Sequence, residues 1–377
     1  MPVLAGFFIM GFCDMVAPVT SRIAAEFPFE SRRAVDFLPA MVFFWFLFLS
    51  VPVAAWMNRC GRKRTALVGY LFTFVGLLLT FAAGEGGSLG FYFVGFGLLG
   101  IGNTIVQVAF NPLLASIVPV ERMTGFLTVG QIFRNFSLLL VAPLAALFSA
   151  WMGSWRGLLS LYALLTVASG IWLQMTSVPE PAVRMRTVGF ADCFRLLRNR
   201  TVLLCVGGVA CFIAADIGIN FVAVRLIDSP TISMLTSTGF YACRIVGTLV
   251  GAWLLIRYSD VKYLCLNMGA AMLLCFGLLL VRDRIAIYAI TGLLGFAMSC
   301  VFATFYAVAT KAAPDRSNEV AGLMIMTISA GVLSGPICGT LIAWTDNPHA
   351  GIGFPLVCVA YMGWAAGRLI RKEFEKQ

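Results

Sequence analysis

The chain has 377 residues, of which 60% are hydrophobic and only 12% are charged, and its mean hydropathy is +0.93. These values exclude an ordinary soluble globular domain and indicate an integral membrane protein. The net charge of +10 does not indicate a nucleic-acid partner, because the basic residues lie in short loops between apolar runs. Membrane lipids with anionic headgroups are the expected partner of these loops.

Apolar runs between charged or Pro/Gly breaks predict twelve membrane spans, which we number in chain order. A bilayer-spanning helix needs about 20 apolar residues. The first run starts at Pro2 without a basic leader and continues to Phe27, so it is expected to be a span and not a cleavable signal. The predicted spans are 3–26, 34–57, 65–83, 89–117, 125–150, 156–177, 201–227, 231–256, 263–281, 285–311, 320–344 and 350–370.

The longest polar interval divides these spans into two groups of six. It predicts an N-terminal six-helix bundle at 1–177, a cytoplasmic central loop at 178–200 and a C-terminal six-helix bundle at 201–377. The segments "GLLGIGNTIVQVAF" (97–110) and "GLLGFAMSCVFATF" (292–305) share GLLG at an offset of 195 residues, which indicates an internal duplication. Parallel repeats of this kind are expected to place a substrate site between them near the membrane midplane.

The distribution of basic residues predicts the orientation in the membrane. If the N-terminus is cytoplasmic, the loops on that side hold 18 of the 27 Lys and Arg residues, and the opposite loops hold 5. The positive-inside rule therefore places both termini in the cytoplasm.

Enzyme and metal signatures are absent from the sequence. The 11 cysteines include no C-x-x-C pair, and no H-E-x-x-H or P-loop motif occurs. The single histidine, His349, falls in a predicted outer loop, where it is expected to be solvated. A sensor would normally need a soluble signalling domain, and only seven residues follow Ile370. We therefore expect a protein that is not an enzyme and has no metal or cofactor.

Polar residues inside apolar spans are the candidate site residues. A charge at mid-bilayer costs about 2.5 to 3.5 kcal/mol on insertion scales, so it should face a cavity or a partner. The alternative is that these side chains form hydrogen bonds between helices. The candidates for substrate binding or coupling are Asp14 in span 1, Asn103, Gln107 and Asn111 at i, i+4 and i+8 in span 4, Gln131 and Arg134 in span 5, Asp216 and Asn220 in span 7, Tyr241 and Arg244 in span 8, and Tyr306 in span 10.

The loop "NRCGRKR" (58–64) between spans 2 and 3 resembles the loop signature of the major facilitator superfamily, G-x-x-x-D-R-x-G-R-[RK]. Ala54 and Asn58 replace the usual Gly and Asp of that signature. The resemblance implies an all-α membrane protein with twelve transmembrane helices in two pseudo-symmetric six-helix bundles, and a gating role for this loop. The matching residues are Arg59, Gly61, Arg62 and Lys63.

A narrower resemblance is carried by "DMVAP" in span 1, "QVAFNPLL" in span 4 and "TVGQIF" in span 5. These segments resemble the fucose permease group, the fucose-galactose-glucose:proton symporters of the superfamily. The resemblance implies a bacterial inner-membrane monomer that transports a sugar with protons, with Asp14 as the proton-coupling residue. Gln107 stands at the position of the group's second acidic residue, so coupling by two acids does not carry over.

Charge balance favours a neutral substrate. Asp14 and Asp216 together balance Arg134 and Arg244, so no substrate charge is needed. In this hypothesis, protonation of Asp14 weakens its pairing with an arginine, whose donors then bind sugar hydroxyls during alternating access. The alternative is a carrier or exchanger of an organic anion bound between the two arginines.

Overall fold

The computed structural model describes residues 2–13, 19, 23, 35, 38–84, 88–178, 190–223, 225–227, 230–255 and 257–374. Within these ranges the regular structure is helical, without a β-strand. Eleven segments of the described residues are long and apolar enough to cross a membrane, and Pro2–Phe12 is a shorter apolar helix. This architecture confirms the predicted all-α class.

Most predicted spans are single helices whose bounds differ from the predictions by a few residues. Span 1 includes the helix Pro2–Cys13, and the predicted central loop contains the short helix Phe190–Arg195. The other unbroken spans are Leu38–Cys60 (span 2), Arg62–Ala82 (span 3), Leu89–Ile117 (span 4), Met123–Met152 (span 5), Gly157–Met175 (span 6), Arg200–Ala223 (span 7), Pro230–Leu255 (span 8), Asp260–Leu280 (span 9) and Gly353–Phe374 (span 12).

Spans 10 and 11 are interrupted, whereas the sequence predicted continuous runs at 285–311 and 320–344. Span 10 consists of Arg284–Ala297 and Val301–Ala312, and span 11 consists of Ser317–Met326, a 3-10 segment Thr327–Leu333, and Ser334–Thr345. Such 3-10 stretches inside a helix often mark a hinge.

The break in span 10 is enclosed by protein. Ser299 and Cys300 are buried, and a Cβ added at Gly247 of span 8 would lie 2.7 Å from the carbonyl oxygen of Phe296. Non-helical backbone at membrane depth is tolerated where protein buries it. The close approach of span 8 therefore permits the interruption.

The repeated GLLG segment lies at equivalent helix crossings in the two halves. A Cβ added at Gly100 in span 4 would lie 2.8 Å from Trp45 Cδ1 in span 2. A Cβ added at Gly295 in span 10 would lie 3.0 Å from the main-chain carbonyl carbon of Phe240 in span 8. Trp45 and Phe240 are themselves 195 residues apart. The internal duplication therefore extends to helix packing.

The chain forms two compact units. The first comprises Met1–Pro119, Phe133–Phe194 and Ser317–Met326, and the second comprises Val120–Ile132, Arg195–Arg316 and Thr327–Gln377. Each unit thus includes one short segment from the other half of the sequence, at the start of span 11 and of span 5. The bundle boundaries proposed at 177 and 201 stay a prediction.

Candidate functional site

Asp216 and Arg244 form an ion pair between spans 7 and 8. Nη1 of Arg244 donates a hydrogen bond of 3.0 Å to Oδ2 of Asp216, and Nη2 donates to Oδ1. The arginine side chain is 8% exposed and the aspartate side chain 13%. Removing either partner would leave an uncompensated buried charge, which is strongly destabilising. The structure therefore brings together two residues that the sequence identified separately.

Three aromatic rings surround the guanidinium of Arg244. Its Cζ lies 4.9 Å from the ring centroid of Phe240, 5.5 Å from that of Phe212 and 5.8 Å from that of Tyr241. Distances below about 6 Å are typical of cation–π contacts. Phe212 and Phe240 were not among the predicted site residues, although each lies four residues before a member of the ion pair. Because residues four apart lie on one helical face, this spacing could have identified both phenylalanines from the sequence.

Asn220, Tyr306 and Gln131 lie in the same unit as the ion pair. Asn220 donates its side-chain amide to the main-chain carbonyl of Asp216 at 3.0 Å, and its Oδ1 is buried without a hydrogen-bond partner among the described residues. Tyr306 is fully buried and stacks on Phe302 at a centroid distance of 5.9 Å. Gln131 is 8% exposed. Tyr306 and Phe302 form an aromatic face on span 10.

The amide stripe of span 4 is hydrogen-bonded along its own helix. Gln107 Nε2 donates to Asn103 Oδ1 at 3.2 Å, and Asn111 Nδ2 donates to the main-chain carbonyl of Gln107 at 2.8 Å. All three side chains are buried. Asn111 Oδ1 has no hydrogen-bond partner in the described part of the chain. The stripe thus retains an acceptor that is still open.

Spans 1 and 5 meet closely beside Arg134. A Cβ added at Gly11 would overlap the main-chain carbonyl oxygen of Arg134 and would lie 2.8 Å from its carbon. Only glycine allows this approach of the two helices. The Arg134 side chain is half-buried. Asp14 lies outside the described residues.

Arg62 binds three acceptors on two other helices of its unit. Nη1 donates to the carbonyl of Pro112 in span 4 at 2.8 Å. Nε donates to Asn318 Oδ1 at 2.8 Å, and Nη2 donates to Ser317 Oγ at 2.7 Å, both at the start of span 11. Asn318 also donates to Asn58 Oδ1 at 2.6 Å. Asn58, which replaces the usual aspartate of the loop signature, therefore accepts a neutral hydrogen bond from span 11.

The other loop residues have different surroundings. Gly61 has a φ of 86°, a region that favours glycine. Lys63 Nζ donates to the carbonyls of Gln174 and Thr176, each at 2.8 Å, at the end of span 6. A cation at a helix C-terminus satisfies carbonyls that lack a helical partner. Arg59 is exposed.

A second polar cluster, which the sequence analysis missed, lies at the start of span 9. Asp260 Oδ2 accepts hydrogen bonds from Lys311 Nζ at 2.6 Å and from Thr124 Oγ1 at 2.9 Å. The sequence signal was the acidic residue in "RYSDVK" (257–262), the loop between spans 8 and 9 that corresponds by duplication to the loop between spans 2 and 3. Both loops therefore bind neighbouring helix ends, one through a cation and the other through an anion.

The expectation that His349 is solvated is wrong. The side chain is buried, and its Nδ1 lies 2.7 Å from the carbonyl oxygen of Leu278 near the end of span 9. The residue lies in the 3-10 helix Pro348–Ile352 and not in an open loop. Among the described residues no group of His, Cys, Asp or Glu side chains could hold a metal ion.

Comparison with known proteins identifies the family. Residues 3–336 match the family described as Major Facilitator Superfamily. The chain belongs to the major facilitator superfamily. This result confirms the resemblance that the loop between spans 2 and 3 suggested, and with it the twelve-helix major facilitator fold.

Similar members of the superfamily match over most of the chain. The glucose/galactose transporter of Brucella abortus biovar 1 (strain 9-941) is 24% identical over 385 residues, which cover 95% of this chain and 90% of the relative. The L-fucose-proton symporter of Escherichia coli (strain K12) is 19% identical over 355 residues, which cover 84% and 81%. The crystal structure of the E. coli fucose:proton symporter has a TM-score of 0.86 at 17% identity and covers 97% of each chain. These matches confirm the predicted likeness to the fucose permease group.

Proposed function

We propose that this protein is a secondary active transporter that carries a neutral monosaccharide together with protons by alternating access. The observation that carries the proposal is the bidentate ion pair between Asp216 and Arg244. Related proteins named for transport of glucose, galactose and fucose support a sugar as the substrate.

The ion pair argues against an anionic substrate. Both terminal nitrogens of Arg244 already donate to Asp216, and the pair is almost fully buried. An anion bound by Arg244 would place a second negative charge beside Asp216, with one buried arginine to balance both. A neutral sugar requires no such change in net charge.

Equivalent positions of spans 4 and 10 differ in a way that suits a sugar. At the offset of 195 residues, Gln107 corresponds to Phe302 and Asn111 corresponds to Tyr306. Span 4 thus offers amides for hydroxyl groups, and span 10 offers rings for an apolar sugar face. We propose that Asn103, Gln107, Asn111 and Gln131 bind hydroxyls and that Tyr241 and Tyr306 contact the ring, with Asp216, Asn220, Arg134 and Arg244 completing the site.

We further propose Asp14 as the proton-coupling residue. Its sequence position in span 1, three residues after Gly11, supports this assignment because Gly11 packs on the main chain of Arg134. A carboxylate near this arginine could exchange its pairing on protonation.

The experiment is sugar transport in proteoliposomes. L-fucose, galactose, glucose and several sugar acids are added in turn, and the external pH and uphill sugar uptake are recorded for the wild type and for Asp14→Asn. Sugar-induced external alkalinisation in the wild type, with uphill uptake reduced in Asp14→Asn, is the expected result. Intact uphill uptake in Asp14→Asn would overturn its assignment, and a response to sugar acids alone would replace the sugar by an organic anion.

We also propose that the protein is a monomer in the bacterial inner membrane with both termini in the cytoplasm. The excess of Lys and Arg in alternate loops supports this orientation. The loop residues Arg59, Gly61, Arg62 and Lys63 would then lie at the cytoplasmic face, where the contacts of Arg62 with span 11 support a gating role.

A further inference from the structure

We propose that Asp216 is a second proton-coupling carboxylate, which takes up a proton when a sugar oxygen replaces it at Arg244. The inference rests on the proposed proton-coupled sugar transport. It concerns the ion pair between spans 7 and 8, which so far has been assigned only to substrate binding.

The position of Asp216 sets it apart from the other acidic residues in the described part of the chain. It lies inside span 7, whereas Glu121, Asp192, Asp260, Asp283, Asp315, Glu319, Asp346 and Glu373 lie in loops or near helix ends. A mid-span carboxylate in a membrane protein is a candidate for proton transfer. Its 13% exposure leaves a route by which a proton can reach it.

Arg244 can stay in place when Asp216 leaves it. Three rings, of Phe212, Phe240 and Tyr241, lie within 5.8 Å of its Cζ and hold the cation independently of the carboxylate. Its Nε is buried without a hydrogen-bond partner among the described residues. The guanidinium therefore has a donor available for a ligand oxygen before the ion pair opens.

An open acceptor lies one helical turn after Asp216 in span 7. Asn220 holds the main-chain carbonyl of Asp216 through its amide nitrogen, while its Oδ1 is buried without a partner among the described residues. A sugar hydroxyl could donate to this Oδ1 and accept from Arg244 at the same time. Such a ligand competes with Asp216 for the arginine without bringing a charge.

Arg244 dominates the charge around Asp216. Span 7 begins with Arg200, and the elements that pack against it carry their other charged residues near their ends: Arg198, Arg284, Lys311, Arg368, Arg371, Lys372 and Glu373. Tyr241, whose ring centroid lies 5.8 Å from Arg244 Cζ, and Cys300 are titratable groups that are uncharged at neutral pH. The remaining titratable groups on span 7 and on the elements packed against it are Cys205, Cys211, Arg225, Cys243, Tyr288, Tyr306, Cys338, His349, Cys358 and Tyr361.

The proposed step moves one proton and forms no covalent bond to the sugar. A sugar oxygen accepts hydrogen bonds from Arg244, and the carboxylate of Asp216 loses its counter-charge. Because a desolvated carboxylate without a counter-charge is unstable, it binds a proton from solvent at one oxygen. When the sugar leaves, Arg244 pairs with Asp216 again and the proton is released. Sugar and proton thus increase each other's affinity.

The test is the number of protons taken up per sugar bound, measured with a pH indicator in weakly buffered detergent solution. Galactose is the probe, and its binding is measured separately by equilibrium dialysis. The decisive variant is Asp14→Asn, because it leaves the pair of Asp216 and Arg244 intact. We expect this variant to take up about one proton per bound galactose, and Asp14→Asn with Asp216→Asn to take up none. Galactose binding to Asp14→Asn without proton uptake would overturn the proposal.

A second variant removes the whole pair and keeps the region neutral. Asp216→Asn combined with Arg244→Gln should lower the uptake by about one proton per bound galactose relative to the wild type. An unchanged proton number would show that the pair only balances charge. Asp283→Asn, the same substitution at an exposed helix cap, is the matched control and should match the wild type. Wild-type protein that binds galactose without any proton uptake would instead refute the proposed proton coupling as a whole.

Discussion

Arg62 is a buried arginine whose three side-chain nitrogens each reach a different acceptor. Two of these acceptors, on Ser317 and Asn318, are more than 250 residues away in sequence. Hydrogen bonds to a charged group contribute about 1.5 to 3 kcal/mol each. A single residue of the loop therefore ties span 3 to the ends of spans 4 and 11.

We expect Arg62→Gln to destabilise the protein and to slow sugar uptake. Glutamine is shorter and cannot reach all three acceptors, so the melting temperature in detergent should fall by about 3 °C or more. The matched control is Arg64→Gln, two residues along the chain, because Arg64 is exposed. Equal melting temperatures for the two variants would contradict a stabilising role of Arg62.

For individual residues, the sequence could predict which polar side chains are site candidates but could not predict their distant contacts. Asp216 and Arg244 were each predicted as site residues from the cost of isolated charge in a membrane, but their pairing with each other was found only in the structure. The burial of His349 could not be predicted, because it depends on the carbonyl of Leu278 in a distant helix. The partners of Arg62 could not be predicted either, since local sequence carries no information about contacts over this separation.

Individual helices were predictable to within a few residues because hydropathy and length define a membrane span. The interruption at Met298–Cys300 was not predictable, because it contains neither proline nor glycine. It depends on the packing of Gly247 in the neighbouring span against the Phe296 carbonyl. Tertiary contacts, and not local propensity, therefore decide where span 10 is broken.

Helix packing at Gly11 can be tested by adding one methyl group. We expect Gly11→Ala to destabilise the protein by about 1 to 3 kcal/mol, because the new Cβ would overlap the Arg134 carbonyl. Gly269→Ala in span 9 is the control, since no atom lies within 4 Å of a Cβ there. Alanine favours helix by about 0.5 to 1 kcal/mol, so this control should be neutral or stabilised. The comparison is made by thermal unfolding, and a stable Gly11→Ala protein would contradict the packing.

The distribution of aromatic residues supports placement in a membrane. Trp151 at the end of span 5 and Trp344 at the end of span 11 are 80% and 82% exposed. Spans 5 and 11 occupy equivalent positions in the duplicated halves, so both tryptophans are expected at one membrane–water interface. Leu273 and Leu280 in span 9 are also exposed, at 75% and 79%, which suits contact with lipid.

The orientation can be tested with reporter fusions across the whole chain. Alkaline phosphatase fused after Arg282, in a loop assigned to the outer side, should be active, because the enzyme folds only outside the cytoplasm. The matched fusion after Arg257, assigned to the cytoplasmic side, should be inactive. The reverse pattern of activity would invert the topology of every loop.

The assignment of Ser317–Met326 to the first compact unit bears on the origin of the protein. If the gene were divided in the central loop, the first product would retain Arg62 but would lack Ser317 and Asn318, two of the three groups that satisfy it. We expect neither product to accumulate alone and both to be recovered when they are synthesised in the same cell. Before duplication, the ancestral half-length chain would have needed acceptors for the same buried arginine. A dimer would have supplied them, with the start of the fifth helix of one copy packed against the other copy.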